Sequence, residues 1–272
     1  MTEHHSFPGA HPRDLVVEIG AGDLTIRLDP DAVGTEVVLD GPTEDVEVEE
    51  TDDAVRVVQR RRRIGFLSRG LDVTITAPAG SRPDVQTGSA DVVVTGPAGT
   101  TSVRVGSADA RVETVDGDAD LVSGSGDITV AHVSGRLHAR SGSGDLRIGR
   151  AAGPVTLSTG SGDASLDQAD ADVTAKSGSG NLVIGHAAEV RFTTASGDLH
   201  ITRIDAGSVT SKSAAGDVRV GVGAGTPVWT EIDTLTGSVR NDLQSLGAPT
   251  DGQPYVQIHA TTISGDVHLR HV

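Results

Sequence analysis

The chain has 272 residues and carries 38 acidic against 22 basic side chains, a formal charge of −16. That balance repels nucleic acid and anionic membrane as bulk partners and favours solubility. With no cysteine, disulfide staples and thiol chemistry are excluded, and no run approaches the ~20 apolar residues that a membrane span needs.

Residues 1–13 are polar, carry His4, His5 and His11, and read as a flexible lead-in. Three histidines on such a tail are too few ordered ligands for a metal site. No apolar core of the kind found in secretory signals occurs there, so a cytoplasmic location is expected. The body of the chain, 14–272, is expected to be one domain. It opens on Leu15, Val17 and Ile19, then Gly22-Asp23, then Leu24 and Ile26. This alternation of apolar and polar residues around a glycine-aspartate corner returns throughout the chain.

From 29 to 82 the alternation changes register. Strands are expected at Thr35–Leu39, Asp45–Glu49, Ala54–Arg60 and Leu71–Ala77, with turns at Asp40-Gly41-Pro42 and Thr51-Asp52-Asp53. This β-rich insertion is expected to cap one end, because an open sheet end exposes unpaired edges. Inside it lies the only dense basic patch, Arg60, Arg61, Arg62 and Arg63, followed by Phe66, Leu67 and Arg69. These seven residues form a candidate docking loop for phosphate, an acidic partner or a membrane surface. The plainer reading is a solvated hairpin tip whose like charges discourage edge pairing.

Residues 83–220 are a repeat. Gly88-Ser-Ala-Asp91 returns as Gly106-Ser-Ala-Asp109, Gly124-Ser-Gly-Asp127, Gly142-Ser-Gly-Asp145, Gly160-Ser-Gly-Asp163 and Gly178-Ser-Gly-Asn181. These anchors are 18 residues apart; Asp198 follows after 17 and Asp217 after 19. A fixed period of this size marks a solenoid. One and three residues past each anchor stand apolar residues, as in Val92 and Val94, Ile128 and Val130, Leu146 and Ile148. Period-two alternation over so few residues argues for strands rather than helix. A second strand precedes each anchor, with inward candidates such as Val155, Leu157 and Thr159, or Val190, Phe192 and Thr194. The aromatic content of only 2% fits a narrow bore that admits little beyond aliphatic side chains.

After 220 the pattern loosens. Thr236-Gly237-Ser238-Val239 reads as a degenerate anchor, a polar loop intervenes, and Ile263-Ser264-Gly265-Asp266 opens a last full rung. Trp229 and Tyr255 are expected to plug this end, so 221–272 reads as irregular coils and a cap. The fold expected is all-β: a parallel β-solenoid of 18-residue coils, taken as right-handed, with the N-terminal insertion and the C-terminal cap.

Stacking places Asp91, Asp109, Asp127, Asp145, Asp163, Asn181, Asp198, Asp217 and Asp266 in one column. Two carboxylates ~5 Å apart in water repel by about 0.8 kcal/mol, so the column needs compensation. Either each carboxylate accepts backbone N–H bonds across its own corner, or the column binds calcium. Asn181 favours the first, since an amide keeps the acceptor without the charge. A calcium site wants six to eight oxygens from a preformed loop, and these corners lack the spacing of calcium-binding glycine-aspartate repeats. No nucleophile elbow with a partner, no His-Glu-x-x-His and no phosphate loop occurs. A regular aspartate column distinguishes no pair for glycosidic cleavage. His132, His138, His186, His200, His259 and His268 fall mostly at outward positions and read as surface residues.

Four segments together resemble the bacterial putative-adhesin β-strand-repeat family, of actinobacterial type. They are Val17-Glu-Ile-Gly-Ala-Gly-Asp23, Arg60 to Ile75, the serial Ser-Gly-Ser-Gly-Asp corners, and Leu235-Thr-Gly-Ser-Val-Arg-Asn241. The resemblance covers essentially the whole chain. It implies a β-solenoid of no established activity and transfers no catalytic residue. The function expected is therefore a non-catalytic interaction or scaffold module. It would have no catalytic, cofactor or metal residues, an unidentified protein partner, and a monomeric or weakly self-associating state. Its polar faces would carry Arg136, Arg140, Lys176, Arg191 and Lys212. The alternatives are a filament-type scaffold, a polysaccharide-active enzyme and a calcium-binding repeat protein.

Overall fold

The computed structural model describes residues 2–60, 70–250 and 252–272, which form strands, turns and connecting segments. Among them no helix is long and apolar enough to cross a membrane. The fold is an all-β parallel solenoid, and the chain divides into two compact units, 1–141 and 142–272.

In the first unit the regular coils are β7 (Arg82–Ala98), β8 (Thr101–Val105) with β9 (Ala110–Val115), β10 (Ala119–Ser123) with β11 (Ile128–Val133), and β12 (Leu137–Ser141). Strands one period apart pair in parallel: Val103 faces Leu121, which faces Ala139, and Val92 faces Ala110, which faces Ile128. Every residue one period on therefore points the same way, so an apolar offset becomes an apolar column. Val85, Val92, Val94, Val103, Val112, Leu121, Ile128, Val130 and Leu137 are buried along it. Burying each such side chain is worth about 1.5–3 kcal/mol.

The start of this unit is built differently. β2 (Asp14–Asp29) pairs in parallel with β7 on one side. On the other side its two halves take β5 (Ala54–Gln59) and β6 (Asp72–Pro78). β4 (Val46–Glu50) then adds antiparallel to β5, β3 (Gly34–Asp40) antiparallel to β6, and β1 (Thr2–Pro8) antiparallel to β3. The β-rich segment thus supplies one split coil and an antiparallel layer upon it. Residues 2–8, expected as a flexible lead-in, are strand β1 instead. Alternation decides this: Glu3, His5 and Phe7 turn to the half-buried side, and the buried Arg13 ties the following turn through Glu50 Oε1 at 2.6 Å and the Pro8 carbonyl at 2.7 Å.

The second unit contains β13 (Leu146–Ala151), β15 (Ala164–Ala169), β17 (Leu182–His186), β19 (Leu199–Ile204) and β21 (Val218–Val222) on one side. On the other lie β14 (Val155–Thr159), β16 (Val173–Ser177), β18 (Glu189–Thr194) and β20 (Gly207–Lys212). Phe192 fills the bore as its largest buried side chain. The last coils are interleaved. β24 (Val256–Thr262) and β25 (Val267–His271) stack directly on β20 and β21, although β22 (Val228–Thr234) and β23 (Val239–Asp242) come first in the chain. β22 and β23 pair with the far side of β24 and β25. The inward residues explain the order: Val256, Ile258, Ala260, Val267 and Leu269 are all apolar and all buried. The degenerate coil offers Thr230 and Asn241 at two of those places. The fully apolar coil takes the position covered on both faces.

Candidate functional site

The anchor carboxylates are bonded to the neighbouring coil. Asp91 Oδ1 accepts the backbone N–H of Asp109 at 3.0 Å, and Asp109 Oδ1 that of Asp127 at 3.0 Å. In the second unit Asp145 accepts from Asp163, Asp163 from Asn181, Asn181 from Asp198, Asp198 from Asp217 and Asp217 from Asp266, all at 2.8–2.9 Å. Asp266 closes the series on the N–H and hydroxyl of Ser238, both at 2.8 Å. From the sequence, the acceptor is expected to cap its own corner. The structure sends the bond one coil onward, because parallel stacking leaves the next anchor's N–H directly above. Asn181 serves equally, with its amide oxygen as acceptor and its Nδ2 donating to Asp163 at 3.1 Å.

The second carboxylate oxygens meet arginines two residues on. Arg147 reaches Asp145 at 2.7 Å and Arg219 reaches Asp217 at 2.7 Å. The repeated glycines serve close stacking: none of Gly106, Gly124, Gly160 and Gly178 has positive φ. A Cβ on any of the four would collide with the carbonyl of the glycine one coil below. Inside the corner, the Ser177 hydroxyl accepts the Gly180 N–H at 2.6 Å.

Strand faces carry the remaining charge, and the two faces of the second unit differ. On the face of β13 through β25 most arginines are paired, and among the described residues Arg270 has no ion pair within 4.0 Å. Arg150 meets Asp170 at 2.7 Å, Arg203 meets Asp205 at 2.8 Å, and His186 meets Asp205 at 3.2 Å. Bonding to Arg150 holds the Asp170 carboxyl below the usual range, and bonding to Arg203 does the same for Asp205. Here Gly221 floors a depression of about 270 Å³ lined also by His200, Arg219, His268 and Arg270.

On the face of β14, β16, β18 and β20, two outward rows run across the middles of the strands. One is Thr156, Thr174, Arg191 and Thr210; the other is Ser158, Lys176, Thr193 and Lys212. None of these eight positions holds a carboxylate. At the strand starts of the same face Glu189 stands opposite Ser208, whose hydroxyl donates to it at 2.6 Å. Among the described residues Lys176, Arg191 and Lys212 form no ion pair within 4.0 Å. Stacking sets Lys176 and Lys212 two strands apart, about 9.6 Å from the ~4.8 Å strand spacing. The sequence pointed to these three cations but also to Arg136 and Arg140, which belong to the first unit. There Arg136 lies 3.9 Å from Asp118, and Arg140 bonds His138 at 2.8 Å.

Of the candidate docking loop, Arg60 is exposed and pairs with Glu47; Arg61, Arg62, Arg63, Phe66, Leu67 and Arg69 lie outside the described residues. Trp229 and Tyr255, expected as a plug, are 50% and 39% exposed. Trp229 points to the outer face of β22, where it meets His259 edge-on at 5.0 Å, because its neighbours Val228 and Thr230 take the inward positions.

Compared with known proteins, the chain matches the family model described as Toastrack DUF4097 over residues 14–181 and again over 167–271. No protein of curated function matches it. Among solved structures it is similar to a putative adhesin from Bacteroides fragilis, at 13% identity and a TM-score of 0.45, over 99% of this chain and 97% of that one. A putative adhesin from Parabacteroides distasonis is 12% identical with a TM-score of 0.42, over 100% and 97%. A putative lipid binding protein from the same species is 10% identical with a TM-score of 0.40, over 98% and 96%.

Proposed function

The chain belongs to the Toastrack DUF4097 family, and from that premise we propose that it is a non-catalytic interaction module whose contact surface is the face of β14, β16, β18 and β20. The observation that carries the reading is the trio Lys176, Arg191 and Lys212. They are cations without carboxylate partners, set on a stacked sheet among threonines, in a chain of net charge −16. Elsewhere on this unit Arg147, Arg150, Arg203, Arg219 and Arg240 are paired with aspartates. A surface that keeps its cations free and rigidly spaced suits an acidic segment of a partner protein, with the threonine hydroxyls as further donors. The aspartate column supports a non-catalytic role in a second way. Its Oδ1 atoms are committed to backbone N–H groups, so the repeated carboxylates serve the stacking.

The test is binding of immobilised polyglutamate to the full chain at about 50 and about 200 mM salt. Wild type is expected to bind at low salt and weaken as salt rises. The triple variant Lys176→Glu, Arg191→Glu, Lys212→Glu is expected to lose at least about tenfold in affinity. Equal binding by the triple variant would sink the reading.

A further inference from the structure

The strands β22 and β23 end the second unit, and among the described residues no strand pairs with their far side. Exposed apolar side chains concentrate there: Leu235 is 78%, Val239 47% and Trp229 of β22 50% exposed, and Ile263, whose carbonyl accepts the Thr236 N–H, is 54% exposed. Such a concentration marks an interaction surface. The inward residues Val228 and Ile232 are likewise only half-covered.

Backbone directions decide how β23 can be used. The Ser238 carbonyl bonds the Val267 N–H at 2.9 Å, so Ser238, Arg240 and Asp242 direct their backbone groups toward β25. Successive residues of a strand point to opposite edges, so Val239, Asn241 and Leu243 direct theirs to the free edge. The chain leaving β23 turns back toward β25, where the Gln244 N–H bonds His271 Nε2 at 3.1 Å, and it leaves that edge open.

We infer that this end is a self-complementary docking edge, on which the β23 strand of a second copy pairs antiparallel about Asn241. This inference deepens the interaction-module reading and rests on it, naming the partner as the chain itself. In that register Arg240 stands opposite Asp242 of the second copy, and Asp242 opposite Arg240, in the pairs whose side chains approach most closely. Val239 stands opposite Leu243, and Asn241 opposite Asn241. The backbone groups of 239, 241 and 243 then bond across the edge; the Leu243 N–H gives up its present acceptor, Asn241 Oδ1 at 3.0 Å. Moving the centre by one residue sets Arg240 against Arg240, or Asp242 against Asp242, so charge selects a single register. Within one copy Arg240 and Asp242 already meet at 2.8 Å, and Asp242 also bonds His268 at 3.0 Å. The pairing gives each carboxylate a second guanidinium. Among the described residues β4 pairs with β5 alone, and there self-pairing about Val48 would set Glu47 against Glu49, which blocks it. An isologous contact of this kind closes at two copies.

The test is the mass of the full chain by light scattering over a concentration series up to about 1 mM. Wild type is expected to rise from 27.7 kDa toward twice that value and stop. Arg240→Asp alone, and Asp242→Arg alone, set like charges opposite each other and are expected to hold the chain monomeric with its melting transition intact. The double swap Arg240→Asp, Asp242→Arg restores the complement and is expected to restore the dimer. A constant 27.7 kDa, growth beyond two copies, or single variants that still dimerise would overturn the inference. Polyglutamate binding by the same samples reads the other face, so failure of the self-pairing and failure of the interaction-module reading are told apart.

Discussion

A single side chain, the anchor aspartate, shows how this fold turns repetition into stability. Its Oδ1 binds the next coil's N–H, and its Oδ2 is left for an arginine or for water. What the column needs is an acceptor at that point, not a charge, and Asn181 already meets the need. Asp163→Asn is therefore expected to change stability by less than about 0.5 kcal/mol. Asp163→Ala removes the acceptor from both the N–H and the Nδ2 of Asn181 and is expected to cost about 1.5–3 kcal/mol. Urea denaturation of the two variants compares them; equal losses would mean that the charge matters. Repetition made the column legible in the sequence. The direction of its bonds was not legible, because an acceptor four residues into a corner reaches its own turn or the next coil equally well on paper.

Among the elements, the two terminal coils are the least predictable from order along the chain. The sequence marks 228–242 as degenerate and 256–271 as complete, and the structure puts the complete one inside. The degenerate coil is tied to its neighbour partly through Asp266, whose carboxyl the Ser238 N–H and then the Ser238 hydroxyl hold below the usual carboxylate range. A pKa depressed by folding contributes stability that is present above the unfolded value and is lost as pH falls through the folded one. Acidification from about pH 5 toward about pH 2 is thus expected to open β23 before the inner coils. Amide exchange read at Arg240 and Asp242, whose N–H groups face β25, against Leu157 and Phe192 would check it. Simultaneous opening would place the weak point elsewhere. At the other extreme of the chain, residues 2–8 became strand because β3 presented an edge for them, which local polarity could not reveal.

For the molecule as a whole, charge sets the conditions of stability. With 38 carboxylates against 22 guanidinium and ammonium groups, repulsion exceeds the exposed ion pairs, which are individually worth little. Screening should therefore stabilise the fold. Raising sodium chloride from about 10 to about 150 mM is expected to raise Tm by about 2–4 °C, the shift that ~1 kcal/mol produces at this size. A falling Tm would mean that the arginine–aspartate pairs dominate. The same screening weakens polyglutamate binding, so stability and binding are expected to respond to salt in opposite directions.

The sequence by itself determined the architecture. An 18-residue period with apolar residues at fixed offsets admits one solution in which like residues stack, and burial of those columns drives it. The same sequence named the aspartates and the cations Lys176, Arg191 and Lys212, because outward positions follow from the same offsets. Tertiary structure decided what stacking alone leaves degenerate. It decided which coil lies outermost, where each aspartate spends its oxygen, which cations keep a carboxylate, and which edge stays open. These depend on what one coil presents to another, and a period that makes all coils alike carries no such information.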